Sequence, residues 1–169
     1  AISVAGSFGD TGSISVYIVD NDQVTVNATV AQALTFSLSS TTIGFGTLST
    51  TQVKFASNDN AGTTTPAAAH NLQVSTNSAG GYVVTVKGAT LTYGTSTIDA
   101  IGASNTAIAT GTEQFGVRFD ASGGSGTVTV PYAASGYAYG ADATTTSQVA
   151  SSAGASNSTT YNATYMANI

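Results

Sequence analysis

The chain has 169 residues, a net charge of −5 from eight acids against Lys54, Lys87 and Arg118, and 7% charged residues, where ordinary soluble domains carry roughly 25%. Three cations offer no basic stripe to neutralise phosphates, which excludes nucleic acid as a partner, and no apolar run approaches the ~20 residues of a membrane helix, so no membrane insertion of the mature chain is expected. Cysteine is absent, which removes disulfide frameworks and thiolate metal sites.

Surface polarity comes instead from 29 Thr and 21 Ser. Thr favours strands, Ser and Gly favour turns, and no stretch has the Leu, Glu, Lys and Arg mixture of a solvent-exposed helix. A nearly all-β chain follows, one domain's worth in length and able to bury about two-thirds of its unfolded surface. A start at Ala1 without an initiator Met, together with the hydroxyl-rich and weakly charged composition, reads as an extracellular or cell-surface protein secreted with removal of a signal peptide.

In the first nineteen residues Ile2, Val4, Phe8, Ile14, Val16 and Ile18 all occupy even positions, the spacing that places side chains on one face of a strand. Gly6, Gly9 and Gly12 interrupt the run. The expectation is an extended arm over residues 1–12 that departs from a sandwich domain over 13–169. Exposed, such an arm is an edge-pairing hazard, so it either tucks into its own domain or adds a strand to a neighbour through Ile2, Val4 and Phe8.

Val24, Val26, Val30, Leu34, Phe36 and Leu38 continue the even register, predicting one or two long strands bent near residues 31–33. A short strand follows around Ile43, Phe45 and Leu48, where Gly44 and Gly46 permit close approach of another backbone, and Gln52 to Phe55 reads as another. Residues 57–69 collect turn formers and read as a loop. Leu72 and Val74, a turn at Asn77 to Gly81, and Tyr82, Val84 and Val86 predict a hairpin. Short pieces at Leu91 to Tyr93 and Ile98 to Ile101 precede strands carrying Phe115, Val117 and Phe119, then Val128 and Val130. Residues 133–158 read as ordered loops with one short strand, and the chain closes on a strand with Tyr161 and Tyr165 on one face. About ten short antiparallel strands indicate a two-sheet sandwich of jelly-roll or immunoglobulin-like type, with a closed barrel as the other arrangement.

Residues able to carry chemistry are few. His70 is the one imidazole, and no nucleophile-elbow glycine pattern surrounds any serine, so the chain reads as not an enzyme and without a cofactor. Asp20, Asn21 and Asp22, and Asn58, Asp59 and Asn60, form two oxygen-rich turns. Neither has the spacing of an EF-hand loop, and Asx residues are ordinary turn formers, so no metal site is assigned. Asn27, Asn157 and Asn162 each begin an Asn-X-Ser/Thr acceptor pattern, with Asn157 in an expected loop where a sugar disturbs no packing. Lys54 or Lys87 with Glu113 offers the groups for an isopeptide bond to an Asn. Tyr132, Tyr137 and Tyr139 offer rings for a sugar.

The blocks VTVNATVAQALTFSLSSTTIGFGTLST, GGYVVTVKGATLTYG, GTEQFGVRF and TYNATYMANI, with the FGTL turn at residues 45–48, resemble secreted prokaryotic surface β-sandwiches. These include TasA-like matrix-fibre subunits and archaeal bundling-pilus subunits. Gram-positive WxL domains share the pattern, but this chain lacks their Trp. The resemblance implies donor-strand assembly into a helical homopolymer whose partners are identical subunits. It also implies that a segment such as TYMANI precedes a further strand, and nothing follows Ile169, so a sandwich short of one strand is expected. The alternative function is a monomeric surface adhesin or glycan-binding module built on the three tyrosines.

Overall fold

The computed structural model describes residues 2–5, 11–15, 25–133 and 135–169, the side chains of 2–5 and 11–14 excepted. Every regular element among them is a strand. In chain order these are β1 (Ile2–Ala5), β2 (Thr11–Ile14), β3 (Leu34–Leu38), β4 (Lys54–Phe55), β5 (His70–Thr76), β6 (Tyr82–Val86) and β7 (Thr92–Tyr93). There follow β8 (Ser96–Thr97), β9 (Gly102–Thr106), β10 (Gln114–Ser122), β11 (Thr127–Val128), β12 (Tyr137–Tyr139), β13 (Ser147–Ser152) and β14 (Ser156–Asn168). The chain divides into two compact units, Ala1–Ala31 and Gln32–Ile169.

In the first unit β1 and β2 pair antiparallel, with Ile2 opposite Ile14 and Val4 opposite Gly12. Of the arm expected over residues 1–12, Ile2–Ala5 is thus a paired strand, and even positions meet even positions. Phe8 lies outside the described residues, as does the turn of Asp20, Asn21 and Asp22. Residues 25–33 have no regular secondary structure, so the long strand expected from Val24 shrinks to β3. Strand spacing needs a ladder partner to become a strand, and the regular ladder of this segment with β5 runs over Leu34–Leu38.

The second unit has a seven-stranded sheet in the order β3-β5-β14-β10-β12-β9, with β4 beside the end of β14, a three-stranded sheet β11-β13-β6, and the ribbon β7-β8. The thirteen-residue β14 is central, paired antiparallel with β5 on one side and β10 on the other. Its alternate residues Tyr161, Ala163 and Ala167 join Leu72, Val74, Phe115, Val117 and Phe119 of the same sheet. Tyr82, Val84, Val149 and Ala150 of the smaller sheet complete that core. Two sheets meeting across one apolar layer give a β-sandwich-like architecture. A smaller cluster of Phe55, Tyr137 and Met166 lies apart from this core, with Val53, Ile101 and Ile108 packed on it.

Two expectations are corrected. The expected hairpin over residues 72–86 is an arch: β5 belongs to the large sheet and β6 to the small one. Both strands bury one face in the same core, so they face each other across it, and the chain crosses at residues 77–81. Gly81 has a φ of 69°, and a Cβ there would strike the backbone of Ser152. Residues 133–158 hold β12, β13 and the start of β14 rather than one short strand; their small residues suit close packing as well as they suit loops. The last strand has both edges occupied. The anticipated close approach at Gly44 and Gly46 is present, since a Cβ on Gly46 would collide with the carbonyl of Ala61.

Candidate functional site

The site the fold defines is an opening between β3 and β6. Leu34, Phe36 and Leu38 of β3 stand opposite Thr76, Val74 and Leu72 of β5, and residues directly opposed in an antiparallel pair share a face. The three side chains therefore lie on the core-facing side of the large sheet. Thr76, Val74 and Leu72 are buried, while Leu34, Phe36 and Leu38 are 63%, 53% and 42% exposed. What differs is the layer opposite. Tyr82 of β6 reaches Tyr161 of β14 through a 2.8 Å hydroxyl contact, so the small sheet lies over the centre of the large one and ends before β3. Among the described strands β6 pairs only with β13, leaving its second edge open. One strand added there, about 4.8 Å further out, lies over β5 and β3. Thr76 and Asn77 fix the entry to β3: Thr76 Oγ1 donates to the Ala33 carbonyl at 2.8 Å, and the Ala33 N–H donates to Asn77 Oδ1 at 2.7 Å.

The expected donor residues Ile2 and Val4 are on β1. Of the glycosylation patterns, Asn27 and Thr29 are both exposed on an irregular segment. Asn157 is exposed, at a bulge within β14 rather than in a loop. Its Thr159 is fully buried and accepts the Gly126 N–H at 3.1 Å. Asn162 is half-buried on the central strand between Asn71 and Asp120.

Tyr132, Tyr137 and Tyr139, expected as a sugar platform, are all buried. Tyr132 donates to Ser147 Oγ at 2.7 Å and Tyr139 to the Gly88 carbonyl at 2.8 Å. Arg118 lies 5.2 Å over the Tyr137 ring. Burial raises the Tyr137 phenol, opposed by Arg118. Tyr137 and Tyr139 are core because β12 runs inside the large sheet, and Tyr132, in the turn before it, packs on Phe119, placements their clustering in the sequence does not reveal.

His70 stacks on Tyr165 at 5.6 Å, and its Nε2 meets the Tyr165 hydroxyl at 3.0 Å. Burial holds the imidazole below its ordinary pKa and pushes Tyr165 up to about 12. Asp59 accepts from the Ser57 hydroxyl and, at 3.0 Å, from the Ala61 N–H. The Ser57 bond first, then that of Ala61, lowers its pKa. The turn of Asn58 to Asn60 is thus self-contained, and Asn60 takes a φ of 63°. No group of three or more His, Asp or Glu among the described residues is placed to hold a metal ion. Lys87 and Glu113 are exposed and Lys54 half-buried, away from the desolvated setting an isopeptide bond requires. No helix among the described residues is long and apolar enough to cross a membrane.

An apolar hollow of about 420 Å³ lies under the β7-β8 ribbon, lined by Leu48, Leu91, Tyr93, Ile98 and Ile169. Polar hollows flank Asn157, the larger of about 520 Å³ and lined by Thr76, Asn77, Ser125 and Ser156. No family model, curated protein or solved structure matches the chain significantly.

Proposed function

We propose that the chain is a structural subunit of an extracellular filament assembled by strand addition between identical subunits, its sandwich, of jelly-roll or immunoglobulin-like kind, being completed by a donor strand. The observation that supports this most directly is the exposed ladder of Leu34, Phe36 and Leu38 on the core-facing side of an edge strand, beside the open edge of β6. A strand seated there satisfies the main chain of β6 and covers the ladder at once. Covering the exposed half or so of three such side chains contributes about 3 kcal/mol, and each backbone hydrogen bond adds about 1 kcal/mol. Donor and acceptor surfaces differ, so the contact is heterologous and propagates instead of closing. Secretion to the cell surface follows from the hydroxyl-rich, weakly charged composition. Negative-stain images of the full-length protein, with size-exclusion chromatography, test the reading. Regular filaments are expected, and a monomer at every concentration overturns it.

A further inference from the structure

Five of the eight large apolar side chains that are exposed among the described residues fall between positions 26 and 38. Leu34, Phe36 and Leu38 form the ladder just described. The other two, Val26 and Val30, are 83% and 79% exposed on a segment with no secondary structure. We infer that residues 25–30 of one copy are the strand that enters the opening of the next, in place of the segment from Ile2 to Phe8. The inference rests on the strand-addition reading above.

Pattern, width and charge support it. In VTVNATV the apolar Val26, Ala28 and Val30 alternate with Thr25, Asn27 and Thr29, so an extended segment offers an apolar face to the ladder and a hydroxyl and amide face to water. The opening is one strand wide, because β3 is the last strand of the large sheet. β1 already has a partner in β2, and the second strand of that ribbon would overhang the sheet with nothing beneath it. No charged residue occurs between Asp22 and Lys54, so donor and ladder meet without burying a charge.

Because the chain has no cysteine, introduced pairs report without background. Full-length protein carrying Val30→Cys and Phe36→Cys is assembled, treated with a short bis-maleimide linker and run on a denaturing gel, beside a Val4→Cys and Phe36→Cys protein. The expected result is a ladder of covalent multimers from the first pair and none from the second. A ladder from the second pair alone moves the donor to the N-terminal segment and overturns this inference while the filament stands. A linked monomer from the first pair shows self-insertion and overturns it too, as does the absence of a ladder from either pair in preparations that contain filaments. Absence of polymer from the unsubstituted chain overturns the filament reading itself. As a second measurement, Val26→Asp with Val30→Asp is expected to reduce polymer yield at least tenfold with the unfolding midpoint of the dispersed protein unchanged, while Ile2→Asp with Val4→Asp leaves the yield as it was. The opposite pattern overturns the assignment.

Discussion

Phe36 and Val74 stand directly opposite one another on neighbouring strands of one sheet, yet Val74 is 3% exposed and Phe36 53%. They share a face and a register, so the difference is the layer above them. Val74→Ala removes buried methyl groups and is expected to lower the stability of the dispersed subunit by about 2 kcal/mol. Phe36→Ala gives up only the covered half of a ring, about 1 kcal/mol. Chemical denaturation of the monomer measures both, and the ranking reverses for assembly: Phe36→Ala weakens filaments more than Val74→Ala does. A Phe36→Ala protein that polymerises normally removes the ladder from the interface.

The hydroxyl pair of Tyr82 and Tyr161, 2.8 Å apart and buried, joins the two sheets through one bond. Burial first and the bond with Tyr82 second hold the Tyr161 phenol well above its usual pKa. Tyr161→Phe leaves the Tyr82 hydroxyl buried without this partner and is expected to cost about 1–3 kcal/mol. Tyr82→Phe should cost a similar amount, and the double substitution less than the sum of the two. Equilibrium unfolding of the three variants supplies the cycle, and strict additivity denies the bond any share in stability. Gly126 lies against both hydroxyls, so a Cβ there would overlap them. Gly126→Ala is therefore more damaging than either Phe substitution.

The strand content was legible in the sequence because period-two spacing and turn residues are local signals. Phe115, Val117 and Phe119 form the core face of β10 as their alternation requires, and the glycines at 44 and 46 mark a close backbone contact. Partnership was not legible. The spacing of Leu72 to Val74 and Tyr82 to Val86 is the same whether the two strands pair beside each other or face each other across a core, and only the position of β14 between β5 and β10 decides it. The candidate opening shows the same limit. Leu34, Phe36 and Leu38 announce a strand, but their exposure follows from an edge position that long-range pairing determines.

His70 and Tyr165 give opposite ends of a stability profile. Burial lowers the folded pKa of His70 below its ordinary 6.5, so the unfolded chain binds its proton more readily. The contribution is complete above about pH 6.5 and is lost as the pH falls from there through the lower folded value. Tyr165, pushed up to about 12, keeps its proton longer when folded, so its contribution is complete below about pH 10 and is lost between there and about pH 12. Melting temperatures across this range should form a plateau with shoulders on both sides. His70→Gln should remove the acid shoulder, and Tyr165→Phe should reduce the alkaline one without abolishing it, because burial also raises the Tyr137, Tyr139 and Tyr161 phenols. An unchanged acid shoulder in His70→Gln assigns it to the carboxylates instead.

Salt should matter little to assembly. The chain holds three cations, and the ion pair found among the described residues, Arg118 with Asp120 at 3.9 Å, lies within a single strand. Exposed pairs contribute at most about 1 kcal/mol each and are screened by added ions. Apolar burial and backbone pairing are barely screened, and strongly excluded salts such as sulfate reinforce burial. Filaments held by the ladder of Leu34, Phe36 and Leu38 should therefore stay intact from low salt to molar sodium chloride, and sedimentation across that series measures it. Because the Asn58 to Asn60 turn satisfies itself through Ser57 and Ala61, a calcium chelator should also leave the sedimented fraction unchanged. Dissociation at high salt, or on chelation, would instead assign the contact to charged turns and displace the apolar opening from the centre of assembly.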